Sequence, residues 1–368
     1  MTAILPGLLM VLLLSIGMST TARGSNSVIG EIRTALVHRS FYNPSAEQVS
    51  ALKMKSLNAG LLAIDPYARY IPPVGPGRDK PAVHLGLGLF LFQSNVWVQT
   101  EPGGPAEKAG VPGVGRLLAV NGLPVHNNAL LKTSELIDSA IHSKRVDLTV
   151  ASPGGSGKSY VVRPAEFAGR SITWRSVAGI RMVRINEFMA HVTAPTLAAL
   201  YQTATPAGSP IVIDLRHCSG GDLFEAMDTA GLYVPPGRVL VVTSNRTGAT
   251  KAYRSPGTRK FRSPTAILID RDTASAAEIF AGVLQFYKLS RIIGDKSFGK
   301  CMSQTLILLS NGGTLWLTTL SVYFPDFSSC TKKGIEPDVL IPKIMVKSYK
   351  EVVEIIRQEG LLSPNRNK

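Results

Sequence analysis

Three apolar runs in the second half of the chain predict buried β-strands, at 210–216, 266–269 and 291–293. Short continuous apolar runs are typical of strands that are covered on both faces. Helical spacing of apolar residues follows the first run at 223–232 and the second from Ala276 onward. This alternation of strand and helix predicts an α/β architecture built in layers.

Capping residues and turn residues predict further elements. A hairpin is expected at 304–323, where two strand patterns flank an Asn-Gly-Gly turn. Helices are expected over 45–62 and 348–358, because each begins with a capping box. The two capping pairs are Ser45 with Gln48 and Ser348 with Glu351.

Residues 85–150 read as a compact β-rich module with a short helix at 105–110, a longer helix at 130–141 and a closing strand at 146–150. The Gly/Ser-rich segment 154–159 is expected to be a loop. The module resembles a PDZ domain. Three segments carry the resemblance: Gly86-Leu87-Gly88, the "PAEKAG" turn at 105–110, and Val120-Asn121-Gly122.

The composition limits the class of protein. The chain has 368 residues, enough for two or three domains, and a net charge of +15. This charge fits a basic soluble surface, and it also leaves acidic partners or anionic membranes open. Basic residues form no long run and aromatic residues do not interleave with them, so nucleic-acid binding is not predicted.

An apolar block at 4–18 precedes the small residues 19–22, which are followed by Arg23. The block is short for a membrane-spanning helix and fits a secretory signal cleaved near Ala22. No Lys or Arg precedes it, so an uncleaved N-terminal anchor stays open. Either reading predicts an exported protein of the periplasm or cell envelope, with membrane association through residues 1–22 as the second option.

Three cysteines are present, Cys218, Cys301 and Cys330, so at least one lacks an intramolecular partner. All three are expected to be small buried residues. No CxxC motif occurs, and neither a metal site nor a cofactor is predicted.

Ser275, Lys300 and Gln304 are the candidate catalytic residues. Ser275 precedes a helix that begins near Ala276, where free backbone N–H groups favour an oxyanion. Read alone, Ser275 is better explained as an N-cap residue and Lys300 as a solvated surface lysine. The sequence at 294–301 nearly matches a phosphate-binding loop, but cysteine replaces the Ser or Thr and a strand follows, so nucleotide binding is not predicted.

From about Leu52 onward the chain resembles the carboxyl-terminal processing peptidases, also called tail-specific proteases. Five ordered segments carry this resemblance: LAIDPY at 62–67, IDLR followed by Gly220-Gly221 at 213–221, TASAAEI at 273–279, SFGKC at 297–301 and GIEPDV at 334–339. The resemblance implies a crotonase/ClpP-like α/β protease core with an inserted PDZ domain and an N-terminal helical segment.

In terms of activity, the resemblance implies a serine endopeptidase with Ser275 as nucleophile, Lys300 as general base and Gln304 orienting Lys300. The oxyanion hole is the N–H of Ala276 with that of Gly220 or Gly221. The expected boundaries are 1–22 for the signal or anchor, 27–80 for the helical segment and linker, 82–152 for the PDZ domain, 160–345 for the core and 346–368 for the C-terminal helix and tail.

The implied partners are proteins or peptides with exposed C-termini, with an adaptor protein as a further expectation. The peptide carboxylate is expected to bind the backbone of the PDZ-like loop, at Gly86, Leu87, Gly88, Leu89 and Phe90. A glycine-rich barrel without peptide binding is the alternative for this module, and a catalytically inactive scaffold is the alternative for the chain.

Three positions depart from the family pattern. His217-Cys218-Ser219 replaces the usual Asn-Pro type residues, Cys301 replaces a glycine, and 113–116 lacks the usual Gly-Asp. The first two departures border the candidate site, and the sequence gives no reason for them.

Overall fold

The computed structural model describes residues 25–73, 83–101, 103–127, 129–167, 170–203, 210–256, 261 and 265–361. The apolar block at 4–18, residues 74–80 at the end of the predicted helical segment and linker, and the tail beyond Leu361 lie outside these residues. Among the described residues, no helix has the length and apolar character needed to cross a bilayer.

The described residues form nine α-helices and nineteen β-strands. The helices are α1 (Ser25–Arg39), α2 (Ala46–Ser50), α3 (Leu57–Ile64), α4 (Pro105–Lys108), α5 (Leu130–Ala140), α6 (Thr193–Thr203), α7 (Leu223–Gly231), α8 (Ala276–Phe286) and α9 (Tyr349–Gln358). The strands are β1 (Arg69–Ile71), β2 (Val83–His84), β3 (Leu87–Phe92), β4 (Asn95–Thr100), β5 (Val114–Val120), β6 (Leu123–Pro124), β7 (Val146–Ala151), β8 (Gly157–Val162), β9 (Ala165–Glu166), β10 (Ile172–Val177), β11 (Ile180–Ile185), β12 (Ile211–Asp214), β13 (Val239–Ser244), β14 (Thr250–Arg254), β15 (Thr265–Ile269), β16 (Arg291–Gly294), β17 (Met302–Leu308), β18 (Thr314–Tyr323) and β19 (Val339–Leu340).

The central sheet has the strand order β10-β11-β12-β15-β16-β19. Within this sheet, β11, β12, β15, β16 and β19 run parallel to one another, and β10 is an antiparallel edge strand. The three apolar runs of the sequence are β12, β15 and β16, so the prediction of an α/β fold is confirmed. Parallel strands need cover on both faces, which explains why these runs are mostly apolar rather than alternating.

Alternate residues of the central strands face two different layers. Ile213 and Ile267 pack in the main core with residues of α7 and α8. Val212 and Leu268 point the other way and pack with residues of α9. The C-terminal helix is therefore the second covering layer of the central sheet.

A second sheet has the order β1-β18-β13-β14, and β17 pairs with β18. The predicted hairpin is confirmed, with β17 and β18 antiparallel around the turn at 309–313. Strand β1 pairs with β18, which brings the segment after α3 beside the hairpin. The N-terminal helices pack on this sheet rather than on the central one.

The β-rich module forms a separate sheet, in the order β3-β4-β5-β7-β8, and β3 is an edge strand. The prediction of a loop at 154–159 is wrong at its end, because β8 begins at Gly157 and pairs with β7. Glycine and serine are poor strand formers, but backbone pairing with a buried neighbour holds them in place.

The helix predicted over 45–62 is interrupted. Helix α2 ends at Ser50, and a 3₁₀ turn at Met54–Ser56 precedes α3. The guanidinium of Arg33 donates to the carbonyl oxygens of Ser50 and Leu52 at 2.8 and 2.9 Å, which satisfies carbonyls that a continuous helix would use. Both predicted capping boxes, at Ser45 and Ser348, are confirmed.

Cys301 and Cys330 form a disulfide, with Cα atoms 5.3 Å apart, and Cys218 is a buried free cysteine. All three cysteines are buried, as expected, but the pairing of two of them was not predicted. The bond joins the start of β17 to the segment after β18. It fixes the residue that directly follows Lys300.

We expect the oxidised, denatured protein to contain one reactive thiol, that of Cys218. Replacing Cys301 and Cys330 together by serine should lower the free energy of unfolding by about 3 to 4 kcal/mol, as expected for a closed loop of roughly thirty residues. Urea denaturation measures the change, and Cys218→Ala is the control that removes a thiol without opening the loop. Three reactive thiols in the non-reduced protein would contradict the disulfide.

Candidate active site

Two turns meet at the carboxyl ends of β12 and β15. These strands are adjacent and parallel, so the turns that follow them lie side by side at one edge of the sheet. The N–H of Ala274 donates to the carbonyl of Cys218 at 2.9 Å, and the hydroxyl of Thr273 donates to the carbonyl of Leu215 at 2.9 Å. Ser275 and Gly220 are brought together in this way.

Ser275 is the N-cap residue of α8 and has a φ of 56°. A non-glycine residue with positive φ is strained, and strain of this kind occurs at functional sites where the surrounding structure enforces it. The enforcing contact is close packing. A Cβ on Gly220 would lie 2.8 Å from Ser275 Cβ and 2.9 Å from the nitrogen of Ala276, so only glycine fits beside the serine.

The oxyanion donors predicted from sequence have different surroundings. Ala276 is the first residue of α8, where a backbone N–H has no partner within the helix. Gly220 contacts this turn directly. Gly221 packs instead against the backbone of Phe188, where an added Cβ would be 2.4 Å from the carbonyl oxygen. Gly220 is thus the glycine that contacts the turn of Ser275.

The carboxylate of Glu278 joins the serine turn to the lysine turn. It is fully buried, and its Oε2 accepts the backbone N–H of Ser275 at 2.9 Å and of Lys300 at 2.7 Å. Its Oε1 accepts the N–H of Gly299 at 2.7 Å and the hydroxyl of Ser297 at 2.6 Å. A buried anion with four donors fixes the spacing of the two turns.

Lys300 is half-buried, with Nζ 4.8 Å from the centroid of the Tyr67 ring. Burial lowers the pKa of Lys300, because the charged form loses water. The nearby carboxylates of Asp65 and Glu278 raise this pKa, and the guanidinium of Arg69 lowers it further. The net direction is toward the neutral amine, the form that can accept a proton.

Gln304 lies on β17, directly after an irregularity in the pairing with β18. Its Nε2 donates to the hydroxyl of Thr318 at 3.4 Å, and that hydroxyl donates to the buried Asp65 at 3.0 Å. Asp65 also accepts the backbone N–H of Thr318 at 2.8 Å and of Tyr67 at 2.9 Å. Through Thr318 and Asp65, Gln304 is therefore joined to the segment that contains Tyr67, whose ring contacts Lys300.

Sequence reasoning assigned no role to Glu278, Asp65 or Tyr67. Glu278 follows Ser275 by three residues, which is capping-box spacing, and this signal could have marked it. Asp65 and Tyr67 belong to a quoted motif, but nothing in the sequence places them beside Lys300. Their position depends on the pairing of β1 with β18.

The proposed peptide-binding residues lie at the edge of the β-rich module. Gly86 has a φ of 65° and packs on Gly104, and β3 follows it as an edge strand. Leu87 and Leu89 face the core of the module, whereas Phe90 faces the other way. Residues of β3 and of the central sheet line a common cleft.

A buried charge cluster holds the module against the core. Burial alone would raise the pKa of Asp214, but the guanidinium groups of Arg216 and Arg184 hold it well below its usual range. Arg184 also donates to Gln99 of β4 at 2.6 Å. Arg216 donates to the carbonyl oxygens of Ile344 and Lys347, which lie just before α9.

Known proteins share this architecture. A family model described as Peptidase family S41 matches residues 179–341. A relative from Picosynechococcus sp., named carboxyl-terminal-processing protease, is 29% identical over 296 residues, covering 76% of this chain and 70% of the relative. A relative of the same name from Synechocystis sp. is 27% identical over 302 residues, covering 78% and 70%.

One solved structure, named photosystem II D1 C-terminal processing protease, matches with a TM-score of 0.60 and covers 87% of this chain and 94% of that chain. Its sequence is 22% identical to this chain, so the likeness concerns the fold.

We expect Glu278→Gln to lower the free energy of unfolding by at least about 3 kcal/mol, because two of the four donors lose a charged acceptor at about 1.5 kcal/mol or more each. Urea denaturation measures this loss. Glu225→Gln is the matched control, since Glu225 is also buried and accepts the N–H groups of His191 and Ala194 at the start of α6. Peptidase activity that survives in the folded fraction of Glu278→Gln would show that Glu278 does not set the spacing of the two turns.

Proposed function

Because the chain belongs to the carboxyl-terminal processing peptidases of family S41, we propose that it is an exported serine endopeptidase that uses Ser275 and Lys300 and recognises protein C-termini. The observation that carries the proposal is the buried carboxylate of Glu278. It accepts hydrogen bonds from the backbone N–H groups of both residues, one a serine with positive φ and the other a lysine whose pKa is lowered by burial.

In the proposed mechanism, neutral Lys300 takes the hydroxyl proton of Ser275 as Oγ attacks the substrate carbonyl. The developing oxyanion accepts hydrogen bonds from the N–H groups of Ala276 and Gly220. Lys300 then donates its proton to the leaving amine, which departs from the acyl-enzyme. Lys300 then takes a proton from a water molecule as its oxygen attacks the ester. The bond between the acyl carbon and Oγ breaks, Lys300 returns the proton to Oγ, and the carboxylic acid product leaves.

Gln304 acts in this scheme by orienting Lys300. Two observations support that role: Gln304 lies four residues after Lys300 on β17, and it bonds to Thr318, which bonds to Asp65. Asp65 contributes a negative charge that favours the ammonium after proton transfer. Tyr67 gives the cation an aromatic face, which is favourable for ammonium groups.

The β-rich module is proposed to be a PDZ domain inserted before a crotonase/ClpP-like core. The exposed edge of β3 can accept a peptide as an added strand, and the turn at Gly86 can offer backbone N–H groups to a terminal carboxylate. The shared cleft extends from β3 to His217, three residues before Gly220, and this supports delivery of a bound tail toward the candidate site.

Export is proposed from the apolar block at 4–18. The disulfide between Cys301 and Cys330 supports it, because disulfides persist in oxidising compartments. Membrane association through the N-terminal segment and an adaptor protein stay predictions.

The deciding experiment is cleavage of an unfolded reporter protein with an apolar C-terminal tail, followed by mass spectrometry of the products. Ser275→Ala and Lys300→Ala should each reduce cleavage to background, because one removes the nucleophile and the other the base. Lys296→Ala is the matched control, since Lys296 is exposed and pairs with Glu336. Amidation of the reporter's C-terminus should raise KM, because it removes the carboxylate that the turn at Gly86 binds.

Full activity of Ser275→Ala or Lys300→Ala would rule out the mechanism. Absence of cleavage by the wild type, with no labelling of its Ser275 by a serine-directed probe, would favour an inactive scaffold. An unchanged KM for the amidated reporter would rule out recognition of the C-terminal carboxylate. It would leave the Ser/Lys mechanism unaffected.

We expect kcat/KM to rise with pH and to level off at high pH. The midpoint of the rise should lie below 10.5, the ordinary pKa of lysine. The sign follows from the mechanism, since only neutral Lys300 accepts the serine proton. Arg69→Gln should move the midpoint to higher pH, because it removes a positive charge that lowers the pKa of Lys300. Asp65→Asn should move it to lower pH, because the carboxylate raises this pKa.

A pH–rate series on the three proteins measures both shifts, with circular dichroism to show that each variant is folded. Shifts of the same sign in Arg69→Gln and Asp65→Asn would show that Lys300 is not the titrating group.

A further inference from the structure

His217, Asp270 and Asp272 form a cluster behind the two turns of the candidate active site. His217 Nδ1 lies 2.9 Å from Asp272 Oδ2 and 3.3 Å from Asp270 Oδ2, and the three ligand atoms are all within 4.8 Å of one another. Asp270 is fully buried, and its side chain is inaccessible, whereas that of Asp272 is 35% exposed. The cluster is thus closed on one side and reachable from solvent on the other.

The hydrogen bonds of the cluster leave one buried oxygen unmatched. Asp270 Oδ1 accepts from the backbone N–H of His217, Asp272 and Thr273 and from the hydroxyl of Thr273. Asp270 Oδ2 is buried and accepts no hydrogen bond from the described residues. A ring nitrogen carries at most one hydrogen, and when Nδ1 donates it to Asp272 at 2.9 Å, none is left for Asp270.

A buried carboxylate oxygen without a donor is unfavourable unless a positive charge compensates it. A divalent cation among the three atoms would satisfy Asp270 Oδ2 and Asp272 Oδ2 together.

The ligand chemistry selects the kind of cation. One imidazole nitrogen and two carboxylate oxygens suit zinc and related transition metals, whereas magnesium and calcium prefer sites of oxygen alone. Ligands at about 2.0–2.2 Å from a tetrahedral metal lie roughly 3.3–3.5 Å apart. The observed separations of 2.9 and 3.3 Å from Nδ1 require only a small opening of the cluster.

We propose that His217 Nδ1, Asp270 Oδ2 and Asp272 Oδ2 bind one divalent transition-metal cation of the zinc type, with water from the exposed side of Asp272 completing the coordination. The site lies outside the proposed catalytic residues and is independent of the proposed function. It also accounts for His217, a departure from the family pattern that the amino-acid sequence alone leaves unexplained.

The bound cation would cross-link two segments that the candidate site depends on. His217 is three residues before Gly220, and Asp272 is three residues before Ser275. The His217 ring also stacks on Phe90 of β3, with centroids 3.9 Å apart. Binding would therefore fix the two turns to each other and hold the ring against the β-rich module.

The test is titration of the full chain with ZnCl₂ by isothermal calorimetry, with MgCl₂ as the comparison. We expect one Zn²⁺ per chain, no binding of Mg²⁺ at the same concentrations, and a rise in Tm with Zn²⁺, since a ligand that binds only the native state stabilises it. His217→Asn and Asp272→Asn should each weaken Zn²⁺ binding at least about tenfold. Asparagine suits position 217, because His217 has a φ of 59° and asparagine tolerates this conformation.

His191→Asn is the matched control. His191 is an exposed histidine with a φ of 62°, so the substitution makes the same change away from the cluster. Zn²⁺ affinity should be unchanged in this variant. X-ray absorption of the Zn²⁺-loaded wild type should count one imidazole per metal, which tests the site without any substitution.

Two results would overturn the proposal. Absence of Zn²⁺ binding by the wild type would mean that the contacts of His217 with the two carboxylates are the complete arrangement. Equal affinity in wild type, His217→Asn and Asp272→Asn, or two or more imidazoles per metal, would place the bound ion elsewhere on the surface.

Discussion

The buried carboxylate of Glu278 is the contact on which the candidate site depends. Ser275 opens α8 and Lys300 ends the turn before β17, and the only charged group that binds the backbone of both is this one. That statement holds for the described residues. Its four donors leave the carboxylate few ways to move, because each displaced N–H would be left buried and unpaired. The spacing of the backbone at Ser275 and at Lys300 is therefore a property of the fold.

The order of the central sheet makes this contact available. Because β12 and β15 are adjacent and parallel, the turns after them meet at one edge, and the absence of a side chain at Gly220 lets them touch. The disulfide acts on the opposite side of Lys300, by fixing Cys301 to the segment after β18. Lys300 is thus held on one side by hydrogen bonds to a carboxylate and on the other by a covalent bond.

The N-terminal segment contributes to the electrostatics of the site. Asp65 and Tyr67 are far from Lys300 in sequence, yet they lie beside it because β1 pairs with the hairpin strand β18. Burial lowers the pKa of Lys300, while Asp65 and Arg69 act on it with opposite signs. His217 likewise joins segments that are distant in sequence: it contacts Asp272, just before Ser275, and Phe90 of the β-rich module.

The sequence alone determined the elements whose signals are local. The apolar runs predicted β12, β15 and β16, capping boxes marked Ser45 and Ser348, and ordered motifs indicated Ser275 and Lys300. Only the tertiary structure decided which distant groups meet. The four donors to Glu278, the pairing of Cys301 with Cys330, and the cluster around Asp270 all join segments that are separate in sequence. Periodicity and capping report on a few neighbouring residues, whereas these contacts depend on strand order, and strand order is set by how the whole core packs.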